Sequence, residues 1–170
     1  MIHRLRRQIY LVGFMGSGKS SVGALLAREL AWQFIDLDSV IEAGQQASIR
    51  EIFERAGEPF FRQLEGAALA EISKAEPAVI ALGGGTFAQE PNERLIRQAG
   101  GTTVWLDCPA EELWRRCELV QNRPLFRDRR SFIQLLEQRL PWYRRAEYRI
   151  PTGGRRPEEV AQEILGLKIF

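Results

Sequence analysis

Short apolar or β-branched runs alternate along the chain with longer stretches in which apolar residues recur every three or four positions. The runs at 9–12, 34–36, 79–82, 103–106 and 148–150 read as strands. Between them, Val22, Leu25, Leu26 and Leu30 share one face of a helix over 19–30. Ser48-Ile49-Arg50-Glu51 has the spacing of a capping box and opens a short helix that ends near Gly57. Further helices are predicted over 60–75, 91–99, 109–117, 132–146 and 157–167, with Pro91, Pro109 and Pro157 each in a first turn. In the 132–146 stretch the apolar face is read as Ile133, Leu136 and Leu140, which leaves Arg139 and Arg145 toward solvent. Strands that alternate with helices in 170 residues imply one α/β domain with a parallel sheet covered on both faces. Ligands of such sheets bind at the carboxyl ends of the strands.

The first of those strand ends carries Gly13-Phe14-Met15-Gly16-Ser17-Gly18-Lys19-Ser20, a match to G-x-x-x-x-G-K-[ST] between a predicted strand and a predicted helix. Glycines let successive backbone N–H groups turn inward around phosphate oxygens. The helix N-terminus adds unpaired donors and partial positive charge. Lys19 is placed to reach the β- and γ-phosphates, and the Ser20 hydroxyl to ligate Mg²⁺. The pattern therefore points to a nucleoside triphosphate.

The second strand closes on Asp36-Leu37-Asp38, which puts two carboxylates beside that loop. Two acids next to a triphosphate need separate tasks. One can hold the hydration shell of Mg²⁺ and the other can accept a hydrogen bond from a substrate hydroxyl. Capping of the following helix by Asp38 would explain one acid but not the pair. Many nucleotide hydrolases carry a metal-side Asp after a later apolar strand. Here the run 79–82 ends in Gly83-Gly84-Gly85, so Asp36 is left as the metal-side acid. Three glycines also let a ligand lie directly on backbone N–H groups.

Composition narrows the chemistry. The chain is 45% hydrophobic and 27% charged, and it has no run of about 18 apolar residues. The N-terminal stretch is basic, but its apolar run breaks at Gly13, so no signal peptide is expected. Cys108 and Cys117 lack CxxC spacing, and His3 is the only histidine. A disulfide framework, a thiolate zinc site and histidine general-base catalysis are thereby disfavoured, and a cytoplasmic setting is expected. The net charge of +2 conceals a division along the chain. Residues 1–114 hold 11 cationic against 15 acidic side chains, whereas 115–156 hold 12 arginines, no lysine and only 4 acids.

Taken together, these segments resemble the shikimate kinases. The resemblance rests on the phosphate loop, Asp36-Leu37-Asp38-Ser39-Val40-Ile41-Glu42, Phe61-Arg62-Gln63-Leu64-Glu65, Gly83-Gly84-Gly85, Arg123-Pro124-Leu125 and Tyr143-Arg144-Arg145. The segments stand in family order and span roughly residues 8–167. Ser21, where Thr is frequent, and Phe126, after the Arg-Pro-Leu element, are small departures beside the motifs.

The resemblance implies a P-loop kinase fold: a three-layer sandwich with a five-stranded parallel sheet, substrate-binding helices over about 37–75 and a mobile lid over about 118–131. It implies transfer of the γ-phosphoryl group of ATP to the 3-hydroxyl of shikimate, with Mg²⁺, in the route to aromatic amino acids. Residue by residue, it implies catalytic roles for Lys19, Asp38 and Arg123. Gly13, Gly16, Ser17, Gly18, Lys19, Ser20, Ser21, Arg116, Arg123 and Pro157 would bind the nucleotide, with Arg116 and Pro157 flanking adenine. Asp38, Arg62, Gly84, Gly85 and Arg144 would bind shikimate, with Arg62 and Arg144 gripping its carboxylate. Ser20 and, through water, Asp36 would hold the metal.

The residue chemistry fits such a substrate: arginine forks bind a carboxylate in a bidentate way and stay charged. The arginine block could also suit nucleic-acid phosphates, but the rest of the chain is acidic and the pI is only 8.7. The expected partner is therefore a small molecule, with no nucleic acid, no membrane and a monomeric chain. The rival readings are a gluconate or nucleoside-monophosphate kinase, and a nucleotide-binding regulator without catalysis. The Gly83-Gly84-Gly85 strand end with Arg62 and Glu65 favours shikimate over the former. Retention of Lys19, Ser20, Asp36 and Asp38 disfavours the latter.

Overall fold

A computed structural model describes residues 7–119 and 128–169. Strands β1 (Gln8–Val12), β2 (Gln33–Asp36), β3 (Ala78–Ala81), β4 (Thr102–Asp107) and β5 (Tyr148–Pro151) form one parallel sheet in the order β2-β3-β1-β4-β5. Among the described residues seven helices surround it: α1 (Lys19–Leu30), α2 (Leu37–Gln45), α3 (Ile49–Ile72), α4 (Glu90–Ala99), α5 (Ala110–Glu118), α6 (Arg129–Tyr143) and α7 (Pro157–Gly166). The expected three-layer α/β architecture is present.

Side chains of a strand alternate between faces, and both faces of this sheet are covered, so the three central strands are buried along almost their whole length and mostly apolar. Ile9 and Leu11 of β1 join Val79, Val104 and Ile150 in a core under α1 and α7. Tyr10 and Val12 point the other way, into a core with Ile80, Trp105, Leu37, Phe61, Phe132 and Tyr143.

Strand register sets the site. Leu11 pairs with Ala81, and the Leu82 N–H donates to the Leu11 carbonyl at 3.1 Å. Gly83–Gly85 therefore emerge beside the loop that follows β1. Asp36 pairs with Ala81 from the other side, which brings the end of β2 to the same crevice. β1 is flanked by β3 and β4, so the chain reverses its direction of winding there, the position at which α/β sheets bind ligands.

Four local expectations need correction. β2 ends at Asp36 as expected, but Asp38, read as part of that strand end, already lies in the first turn of α2. The cap of α2 is Asp36, whose carboxylate accepts from the Ser39 N–H at 3.2 Å. α6 begins at Arg129, because Asp128 caps it by accepting from the Ser131 N–H at 2.8 Å. Residues 129–131, expected in the lid, are thus helical. Pro109 is itself the cap residue of α5, in extended conformation, instead of a first-turn residue. The capping box at Ser48 is present, and Gly57 (φ 78°, ψ 174°) breaks α3 where the first segment was expected to end.

Candidate active site

The phosphate loop wraps the end of β1. Gly16 (φ 79°) and Gly18 (φ 95°) hold left-handed conformations that a side chain would strain. A Cβ on Gly13 would lie 2.8 Å from Ser17 Oγ and 2.9 Å from the Leu106 carbonyl, so the loop closes only around a bare backbone. Lys19 Nζ donates to the carbonyls of Gly13 (2.7 Å) and Phe14 (2.9 Å) and spans the loop mouth. Ser17 Oγ is buried and without a hydrogen-bond partner among the described residues. Lys19, Ser20, Ser21, Asp36, Asp38 and Arg116 line a cavity of about 380 Å³ with Gly16, Gly18 and Gly84.

The two aspartates occupy different environments. Asp36 accepts a 2.6 Å bond from the Ser20 hydroxyl while it caps α2. Asp38 is pushed up to about 6 by desolvation, then by the nearby Asp36 carboxylate, against the opposing pull of Lys19. A Cβ on Gly83 would sit 2.8 Å from Asp38 Oδ1, so Asp38 is packed against the glycine triplet. One acid is paired with a hydroxyl at the loop; the other is half-buried on the cavity wall with a raised pKa.

Beyond Gly84 lies a second pocket of about 210 Å³, lined by Arg62, Gly85, Arg139, Glu58 and Trp142 among others. Arg62 is held from two sides. Its Nη1 donates to Glu65 (2.9 Å), and its Nε and Nη2 donate to Glu58 (3.2 and 3.0 Å). Glu65 is 1% exposed, and its second oxygen accepts from Thr86 at 2.6 Å. Arg139 comes from α6, only 6% exposed, stacked 5.5 Å over the Phe14 ring, with Nη1 unpartnered among the described residues. An ideal Cβ on Gly85 would fall 3.0 Å from Arg139 Nη2 and 2.7 Å from Arg62 Nη2. Both guanidinium groups therefore converge on the Gly85 backbone.

Arg144 does not join them. It is exposed at the C-cap of α6 and is absent from the lining of either pocket. The buried face of α6 is Phe132, Leu136, Arg139 and Tyr143, one residue round from the face expected from sequence. The reading of Arg139 as solvent-facing is corrected accordingly. Tyr143 stands in the Tyr143-Arg144-Arg145 motif, but sequence reasoning assigned it no role. Its hydroxyl donates to the Gly84 carbonyl, and Arg139 bonds the same phenol. Burial raises its pKa, which keeps the phenol a neutral donor.

On the nucleotide side, Arg116 Nη1 donates to the Gly16 carbonyl at 2.9 Å and Nη2 pairs with Glu112. The other oxygen of Glu112 accepts from the Gly154 N–H at 2.9 Å. Glu112 thus joins α5 to the loop before α7, and that backbone bond is the main cause of its lowered pKa. Pro157 opens α7 and is not among the residues lining the 380 Å³ cavity. Arg123 and the rest of 120–127, where a lid was expected, lie outside the described residues.

A shikimate kinase family model matches residues 15–167. The chain belongs to the shikimate kinase family. The shikimate kinase of Persephonella marina is 42% identical over 161 residues, covering 94% of this chain and 98% of that one. That of Moorella thermoacetica is 44% identical over 158 residues, 92% of this chain and 91% of its own. Among solved structures, a shikimate kinase from Acinetobacter baumannii in complex with shikimate matches with a TM-score of 0.91 at 39% identity, covering 95% of this chain and 92% of that chain. A gluconokinase from Sinorhizobium meliloti, at 22% identity and a TM-score of 0.66 over 97% and 93% of the two chains, shares the fold. The chain is accordingly a shikimate-kinase-type phosphotransferase built on the P-loop kinase fold. No helix among the described residues is long and apolar enough to cross a membrane.

Proposed function

We propose that this enzyme transfers the γ-phosphoryl group of ATP to the 3-hydroxyl of shikimate, giving shikimate 3-phosphate and ADP. One juxtaposition carries the reading. A phosphate loop and a desolvated Asp38 meet at one end of Gly83–Gly85, and two converging arginines, one with an orphan buried donor, stand at the other. That layout suits a small molecule with a hydroxyl at one end and a carboxylate at the other. An unpaired donor on a buried guanidinium costs about 1–3 kcal/mol or more, so it is retained where a ligand completes it.

In this reading Arg62 and Arg139 form a fork around the carboxylate, and the backbone of Gly84 and Gly85 supports the ring. Arg139 takes the place that the resemblance gave to Arg144. Tyr143 holds both Gly84 and Arg139 in position. Asp38 accepts a hydrogen bond from the 3-hydroxyl and receives its proton as the new P–O bond forms. The loop amides and Lys19 bind the β- and γ-phosphates, Arg123 approaches them from the lid, and Arg116 and Pro157 flank adenine.

Hard oxygen donors suit Mg²⁺, and Ser20 Oγ with Asp36 supplies such a pair on the cavity wall. Ser20 would bind the ion directly and Asp36 through water. When bound, the ion offsets negative charge on the phosphates. The enzyme acts on this small molecule as a monomer in the cytoplasm.

The test is ADP release in a coupled assay with shikimate, gluconate and nucleoside monophosphates offered separately. Turnover with shikimate at a kcat/KM far above the others is expected. Turnover with gluconate or a mononucleotide in its place, or none at all, overturns the reading.

A further inference from the structure

We propose that Glu58 is a built-in competitor for the substrate carboxylate, so that the acceptor displaces one acid from Arg62 as it binds. The inference rests on the acceptor pocket having the role given to it above.

The two acids on Arg62 are not equivalent. Glu65 is buried, is fixed by Thr86 through its other oxygen, and takes Nη1. That bond anchors the guanidinium from the buried side. Glu58 is exposed, with 55% of its side chain accessible, and reaches Nε and Nη2 with a single oxygen, Oε1. Nη2 is also the Arg62 atom nearest Gly85, at 2.7 Å from an ideal Cβ there. The donor best placed for a ligand against the glycine backbone is therefore the one Glu58 holds. Glu58 itself lines that pocket.

Charge agrees with this division. Arg62 and Arg139 against Glu58 and Glu65 leave the pocket neutral toward an incoming anion. With Glu58 turned out, the pocket carries one net positive charge, matched to a single carboxylate. The move costs little, because half-exposed ion pairs are weak and screened by solvent. Glu58 also has another place to rest. Gly57 breaks α3, so Glu58 stands at the start of the second helical segment, where partial positive charge favours a carboxylate. The device weakens every carboxylate equally, so only a ligand that also makes contacts at Gly84 and Asp38 overcomes it. Specificity of this kind comes from raising the threshold for the wrong partner.

The test compares wild type, Glu58→Gln and Glu58→Ala by ADP release, with benzoate as a bare-carboxylate inhibitor. The expected result is a fall of about 2–5-fold in the shikimate KM and in the benzoate inhibition constant, with the ATP KM unmoved. A shikimate KM that is unchanged or raised overturns the proposal, a raised value making Glu58 a residue that positions Arg62. Failure of the underlying reading is separate, since it appears as absent shikimate turnover in wild type. In that event calorimetric titration of benzoate into wild type and Glu58→Gln decides the matter alone. Tighter binding to the variant supports the competitor role, and equal or weaker binding overturns it.

Discussion

The two ends of the proposed site would recognise anions by different means. The phosphate-loop end is mostly backbone: a contiguous eight-residue segment from Gly13 to Ser20, in which glycine conformation and the start of α1 would create the binding surface. The end proposed for the carboxylate is mostly side chains. Arg62 from α3, Arg139 and Tyr143 from α6 and the glycines after β3 meet there from distant parts of the chain. A backbone site carries its donors at no cost in desolvated charge. A buried arginine pair must be neutralised, and Glu65 with Glu58 does this for Arg62 while Arg139 keeps an open donor. The first design would suit any phosphate chain; the second would be selective because two arginines from separate helices converge on one small space.

Substitutions at the two ends should separate these roles. Lys19→Met removes the one side-chain cation of the loop and should lower kcat by about 10²–10³-fold, with the shikimate KM little altered. A comparable rise in the shikimate KM would show that the two ends are not independent. Asp38→Asn, at the junction, should lower kcat by about 10²–10⁴-fold while ATP still binds. The same change should stabilise the fold. Asp38 has a raised pKa, so folding favours its protonated form, and the ionised carboxylate lowers stability as pH rises from about 4 through about 6. Asn, which resembles the neutral form, should therefore raise the unfolding free energy at pH 8 by about 1–3 kcal/mol, read by denaturant titration, and confer no advantage at pH 3.

Wild-type kcat/KM should fall as pH drops below about 6, where Asp38 loses the charge it needs as a proton acceptor. The residual activity of Asp38→Asn should lack that limb. The smallest effect is expected at Glu112→Gln, which keeps an acceptor for Gly154 but discharges the partner of Arg116. The ATP KM should rise about 2–5-fold with the shikimate KM fixed. In an Arg116→Ala background the same change should add almost nothing.

The contrast between the ends also explains what could be read from sequence. The phosphate loop and Asp36 are legible because their geometry is local: strand, turn and helix are consecutive, and residue spacing determines which atoms face inward. The three central strands were legible for a similar reason, since buried parallel strands are short, mostly apolar runs bounded by turns. Asp38 was legible as a residue near the loop, but α2 begins directly after Asp36, so the capping role falls to Asp36 and Asp38 lies two residues further on, in the first turn. The carboxylate pocket was half legible. Arg62 follows from its motif, whereas Arg139 depended on the facing of α6. Ile133, Leu136 and Leu140 make a plausible apolar stripe, yet Phe132, Leu136, Arg139 and Tyr143 make an equally regular one and larger rings win the core. A charged residue at helical spacing among buried aromatics was the available signal. Glu112 had none, because its partner Gly154 is brought to it only by the pairing of β4 with β5.

The most direct measurement is the shikimate KM of Arg139→Leu beside that of Arg144→Leu, both by ADP release at saturating ATP. Loss of a buried charged partner for a carboxylate corresponds to about 2–5 kcal/mol, so Arg139→Leu should raise the KM at least 30-fold. Arg144→Leu should leave it within about twofold, as expected for an exposed side chain outside the pocket. The reverse order, a large effect at Arg144 and none at Arg139, would contradict the two-ended site.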